Sequence, residues 1–88
     1  MIEIKYTPSF IRLYKKLQED LKQEVKEKIN LFKNTKNHTS LKVHKLSGRM
    51  LSRHSFSVNY KIRIVFIYEE KNKNIVYLLE VGDHDIYR

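Results

Sequence analysis

The chain has 88 residues, a net charge of +8, 41% hydrophobic residues, two glycines, one proline and no cysteine. Such a length provides one small core, so a single domain over 1–88 is expected, and the apolar content excludes a disordered basic tail. Without cysteine there is no disulfide and no thiolate zinc site, and no long apolar run offers a signal peptide or a membrane span, so a cytoplasmic protein is expected.

In chain order, Ile2, Ile4 and Tyr6 alternate with charged residues and predict a short half-buried strand. Thr7-Pro8 follows as a helix start, with Thr7 as N-cap and Pro8 at the first helical position, where a missing N–H costs nothing. Phe10, Leu13, Tyr14 and Leu17 recur at helical spacing. Asp20 is the expected N-cap of a second helix, with Gln23 in capping-box position and Leu21, Val25, Ile29 and Phe32 as its apolar stripe. The two make a helical hairpin with a very short connection.

A polar loop follows, and the stretch up to Leu46 reads as half apolar, with room for a short strand before Ser47-Gly48. Strands are then expected near 51–58, 62–69 and 74–81, joined by Asn59-Tyr60-Lys61 and Lys71-Asn72-Lys73. Short turns imply an antiparallel meander. The order β-α-α-β-β-β defines an α+β domain, with the helical hairpin covering one face of a small antiparallel sheet.

Negative charge is unevenly placed. From residue 28 to residue 68 there is no Asp or Glu, while nine Lys or Arg and three His fall in the same stretch. A one-sign block inside folded structure fits a polyanion such as a phosphate backbone, or an acidic protein partner. Strand parity sorts these cations: Phe56 and Val58 share one face, and Arg53, Ser55 and Ser57 the other. On the next strand Ile64, Phe66 and Tyr68 alternate with Arg63, Val65 and Ile67, so Arg63 is a lone cation among apolar neighbours. Burying it unpaired would be costly, so it either faces a wet, anion-accepting cleft or pairs with Glu80 or Asp83.

Three stretches, LKVHKLSGRM (41–50), SFSVNYKIRIVF (55–66) and LLEVGDHDIY (78–87), resemble the RelE/ParE superfamily of type II toxin–antitoxin toxins, and the resemblance runs nearly end to end. It is nearest the RelE and YafQ-like branch, whose members cleave messenger RNA on the ribosome. The resemblance implies that Arg63 contacts the scissile phosphate, that His84 is catalytic two residues after Gly82, that His44 lies near the cut, and that Tyr87 contacts the substrate. It departs from the YafQ-like pattern at Ser57 and Lys61, where that branch carries a His and an Asp. It also departs from the lysines of RelE on the strand where this chain has Arg53, His54, Ser55 and Ser57. The implied partners are messenger RNA on the ribosome and an acidic, partly disordered antitoxin that forms a heteromeric complex with the toxin.

The residue types suit that chemistry. Metal-independent RNA cleavage needs a base for the 2′-OH, cations for the phosphate and an acid for the leaving 5′ oxygen. Histidine titrates near neutrality and arginine binds oxyanions through a planar fork. Asp83 and Asp85 flank His84 and can orient its ring. Lys42, Lys45, Arg49 and Arg53 are the expected phosphate grip. Tyr87 can stack a base or close the core, His54 shares the core parity of Phe56, and His38 receives no role. The histidine spacing offers no metal-ligand pattern, so no metal and no cofactor is expected. The competing class is a ParE-like DNA gyrase inhibitor that shares the fold and catalyses nothing; a third is a relative that keeps only antitoxin binding.

Overall fold

Thr7 ends the first strand, β1 (Glu3–Tyr6), and opens α1 (Pro8–Lys15). Its hydroxyl oxygen accepts the Phe10 N–H at 3.2 Å and donates to the Leu78 carbonyl at 2.7 Å, so the cap also ties the helix to the sheet. Three connecting residues lead into α2 (Glu19–Phe32), whose N-cap is Gln18 without a side-chain hydrogen bond. Asp20 is therefore not the cap. The helix starts earlier than the sequence suggested, and Asp20 joins Glu19 in the first turn, where carboxylates complement the helix dipole.

The computed structural model describes residues 1–48 and 52–83. After α2 come a 3₁₀ turn (Thr35–Asn37), β2 (His44–Lys45), β3 (His54–Ser57), β4 (Arg63–Tyr68) and β5 (Ile75–Gly82). The five strands form one sheet in the order β1-β5-β4-β3-β2. The meander β2 to β5 is antiparallel as expected, and β1 pairs with β5 in parallel, which makes the sheet mixed. The ambiguous stretch before Ser47 supplies the extra strand, β2. The α+β architecture of two helices on a small sheet is as the sequence indicated.

Helix stripe and sheet face meet in one core containing Phe10, Val25, Ile29, Phe32, Phe56, Ile64, Phe66 and Leu78. Phe32 is its hub: its ring stacks on Phe56 at 4.4 Å and on His38 at 4.6 Å, and meets Phe66 edge-on at 4.9 Å. Burying such a ring fully is worth a few kcal/mol, and the aromatic geometry adds to that.

On β5 the register slips between Val65 and Phe66, which face Glu80 and Leu78 across the ladder. The extra residue, Leu79, packs with Leu46 and Val65 in a second apolar cluster. This bulge lets Leu78 and Val81 both enter the main core while Glu80 turns to the other side.

Candidate functional site

The sheet face away from the helices carries the candidate site, and register fixes its membership. One row across the strands runs His44, Ser55, Val65, Glu80; the next runs Ser57, Arg63, Gly82. Paired residues in a sheet project to the same side, so His44, Ser57 and Arg63 share this face, on which Ser55 and Val65 are fully buried. His44 and Arg63 stand two strands and one side-chain repeat apart, about 12 Å between Cα atoms by sheet spacings. Side chains of this length can converge on one phosphodiester between them.

Arg63 is half-buried at the start of β4, and its Nη1 donates to the backbone carbonyls of Asn59 and of Ile62, the latter at 3.2 Å. The Asn59 side chain organises the turn that supplies both acceptors. Its Oδ1 accepts the N–H groups of Lys61 and Ile62 at 2.9 and 2.8 Å, and its Nδ2 donates to Glu24 on α2 at 2.9 Å. A guanidinium has five N–H donors, so two carbonyls fix one corner and leave the fork chemically able to grip an oxyanion. Of the sequence alternatives, Glu80 does not serve as the partner of Arg63: its carboxylate lies 3.6 Å from Arg53.

His44 is exposed on the edge strand β2, and its Nδ1 lies 2.8 Å from the Lys42 carbonyl. A carbonyl only accepts, so Nδ1 carries the proton and Nε2 of the neutral ring is left as the basic nitrogen. Lys42 holds that carbonyl in place from a left-handed backbone position, φ 58°.

The remaining cations divide. Arg53 reaches over the open face to Glu80. Lys45 pairs with His54, one residue out of phase with His44, and so projects to the helix side of the sheet. Lys42 stands in the loop before β2. The expected phosphate grip is thus not one surface: Arg53 shares the face of Arg63, and Lys45 does not. His84, Tyr87 and Arg49 lie outside the described residues.

His38 donates through Nε2 to the Phe32 carbonyl at 2.8 Å while its ring covers Phe32. It closes the core. His54 lies on the core side of β3 as its parity indicated, against Phe66 and Tyr68. Burial, and then the charge of Lys45, lower its pKa below the ordinary imidazole value. Among the described residues no group of three His, Asp or Glu is placed to hold a metal ion. No described helix is long and apolar enough to cross a membrane.

One residue, Asn59, escaped the sequence reading as part of this site, and a second, Glu80, was matched to Arg63 where it pairs with Arg53. Asn59 was legible only as a turn residue, whose side chain can bond the backbone two residues on. Glu80 reaches the open face because of the bulge at Leu79, which has no local signature.

No family model and no curated protein matches the chain. Solved structures do. YafQ from E. coli strain BL21(DE3) has a TM-score of 0.76 at 16% identity, covering 98% of this chain and 97% of that one. The YoeB–YefM toxin–antitoxin complex from Staphylococcus aureus has 0.70 at 16%, covering 96% and 98%. The archaeal RelE–RelB complex from Pyrococcus horikoshii OT3 has 0.71 at 13%, covering 93% and 93%. Coverage is nearly complete while identity is low, so the shared property is the fold. The chain carries the fold of the RelE, YafQ and YoeB toxins, as the resemblance of its motifs implied.

Proposed function

We propose that this protein is the toxin of a type II toxin–antitoxin pair and that it cleaves messenger RNA on the ribosome without a metal ion. The observation that carries the reading is Arg63, held by two turn carbonyls on the same sheet face as His44. In the reaction, the Nε2 of His44 takes the proton of a ribose 2′-OH, whose oxygen attacks the adjacent phosphorus. Arg63 binds the phosphate oxygens as negative charge builds, and His84 protonates the departing 5′ oxygen. The products are a 2′,3′-cyclic phosphate and a 5′-OH end. Arg53 contacts a neighbouring phosphate, and Tyr87 contacts a base.

The partner is an acidic antitoxin. An apolar groove of about 340 Å³ between the helices, floored by Phe10, Tyr14 and Ile29, has Lys26 and Lys33 among its lining residues. That combination suits an amphipathic acidic segment that folds on binding. Both YoeB and RelE above were solved with an antitoxin bound.

Inducible expression of the wild type and of His84→Ala tests the reading, with messenger 5′ ends mapped in translating and translation-blocked cells. New ends within reading frames that vanish with either the substitution or the block are expected. Growth arrest with DNA damage and no new ends would sink the nuclease and favour gyrase inhibition.

A further inference from the structure

Two grooves on the helix side of the sheet share His54, Tyr68 and Lys73 and so form one cleft, with lobes of about 560 and 470 Å³. Lys45 and Ser52 line one lobe, and His38 lines the other. Glu70 is the only acidic residue among the described residues that line it. The cleft lies on the helix side, at the end of the sheet where β3 begins and β4 finishes, and the two residues of β2 face opposite ways: His44 toward the face of Arg63, Lys45 toward the cleft. Arg63 opens β4 and Tyr68 closes it, about 17 Å away by strand rise, so a strand of RNA engaged at Arg63 reaches the cleft over the β2 edge only after several nucleotides.

The lining mixes the groups that a nucleotide needs. Lys45 and Lys73 offer two cations for phosphate. Tyr68 and His54 meet edge to face at 4.9 Å and offer ring surface to a base. The Nδ1 of His54 is enclosed and has no hydrogen-bond partner among the described residues. Burial favours the neutral ring, which stacks and hydrogen-bonds without repelling the lysines. Ser52 holds a left-handed backbone at φ 74° on the wall, the kind of local strain that gathers at binding sites.

We propose that this cleft is a second nucleotide subsite, which takes the phosphate and base of an RNA residue several nucleotides from the one engaged at Arg63. The proposal rests on the RNA-cleaving reading. A purely acidic peptide would use the lysines but leave the ring wall without purpose.

The test uses the full chain carrying His84→Ala to suppress cutting, titrated with a uridine dinucleotide, with an oligouridylate of about ten residues, and with oligoglutamate. Ring resonances of His54 and Tyr68 are expected to move with the oligouridylate at concentrations where the dinucleotide moves only residues around Arg63. Lys73→Ala is expected to weaken the oligouridylate roughly three- to tenfold, to weaken the dinucleotide less, and to reduce the salt slope by about 0.7. Oligouridylate binding that leaves His54 and Tyr68 unmoved, or equal weakening of both RNAs by Lys73→Ala, would overturn the subsite while leaving the nuclease reading intact. Movement of His54 and Tyr68 with oligoglutamate alone would assign the cleft to a protein partner and overturn it too. No RNA binding anywhere at low salt would overturn both.

Discussion

Arg53, just before β3, and Glu80, on β5, meet at 3.6 Å across the sheet face, with β4 between them. A carboxylate thus occupies one of the cations that faces the same solvent as Arg63. Both side chains are partly exposed, so the pair contributes little to stability, of order 0–1 kcal/mol. Its larger consequence is competition: a phosphate that takes Arg53 must displace Glu80. Glu80→Gln is expected to tighten RNA binding a few-fold at low salt and to steepen the salt dependence by up to about 0.7, the value of one phosphate contact on a single strand. Binding measured against ionic strength checks this, and unchanged affinity and slope would contradict it.

Asn59 links α2 to the turn that holds Arg63. Removing its side chain strands two turn N–H groups and the Glu24 contact. Asn59→Ala is expected to cost about 1–3 kcal/mol in denaturant unfolding. The loss of RNA cleavage should exceed what the unfolded fraction explains, because the carbonyls behind Arg63 shift. Asn59→Asp keeps the acceptor and should recover part of the turn. Full cleavage by folded Asn59→Ala would show that Arg63 does not depend on this turn.

Phe32 is fully buried between His38 and Phe56. Phe32→Ala empties the centre of a small core and is expected to cost about 3–5 kcal/mol, a large share of the ~5–15 kcal/mol available to a domain. Phe32→Leu should cost clearly less. Chemical denaturation of the two variants gives the comparison, and a loss below ~1 kcal/mol for the alanine variant would contradict the hub assignment.

His54 sets a pH dependence. Its folded pKa is lowered from 6.5, by burial first and by Lys45 next. The unfolded chain therefore takes up a proton before the folded chain does as pH falls. Stability is full above the unfolded value and declines as pH drops below about 6.5 and through the folded pKa. His54→Phe should flatten the pH profile of unfolding in that window, and an unchanged profile would exclude His54 as its source.

What the sequence made legible follows from the range of each interaction. Thr7-Pro8 and the alternation of Arg63, Val65 and Ile67 against Ile64, Phe66 and Tyr68 are local patterns, and the cap and both sheet faces follow them. The parallel pairing of β1 with β5 joins residues some seventy positions apart and leaves no local periodicity to read. Asp20 was misread as a cap because Gln18, which holds that place, has no side-chain bond to announce it. Lys45 was grouped with Arg53 by charge, whereas the two-residue register of β2 sends it to the opposite face from His44. The tie between Arg53 and Glu80 depends on a bulge, and the grip on Arg63 depends on backbone carbonyls, which every residue has.

On the proposed reading, Arg63 stabilises the phosphate of a messenger cut on the ribosome. Purified protein added to ribosomes translating a defined messenger, with wild type beside Arg63→Ala and Arg63→Lys of matched thermal stability, tests it most directly. Wild type is expected to cut within the reading frame, Arg63→Ala to lose at least about a hundredfold in rate, and Arg63→Lys to recover only a small part, since a point charge lacks the fork. An intact messenger with wild type, or Arg63→Ala cutting at the wild-type rate, would contradict the account.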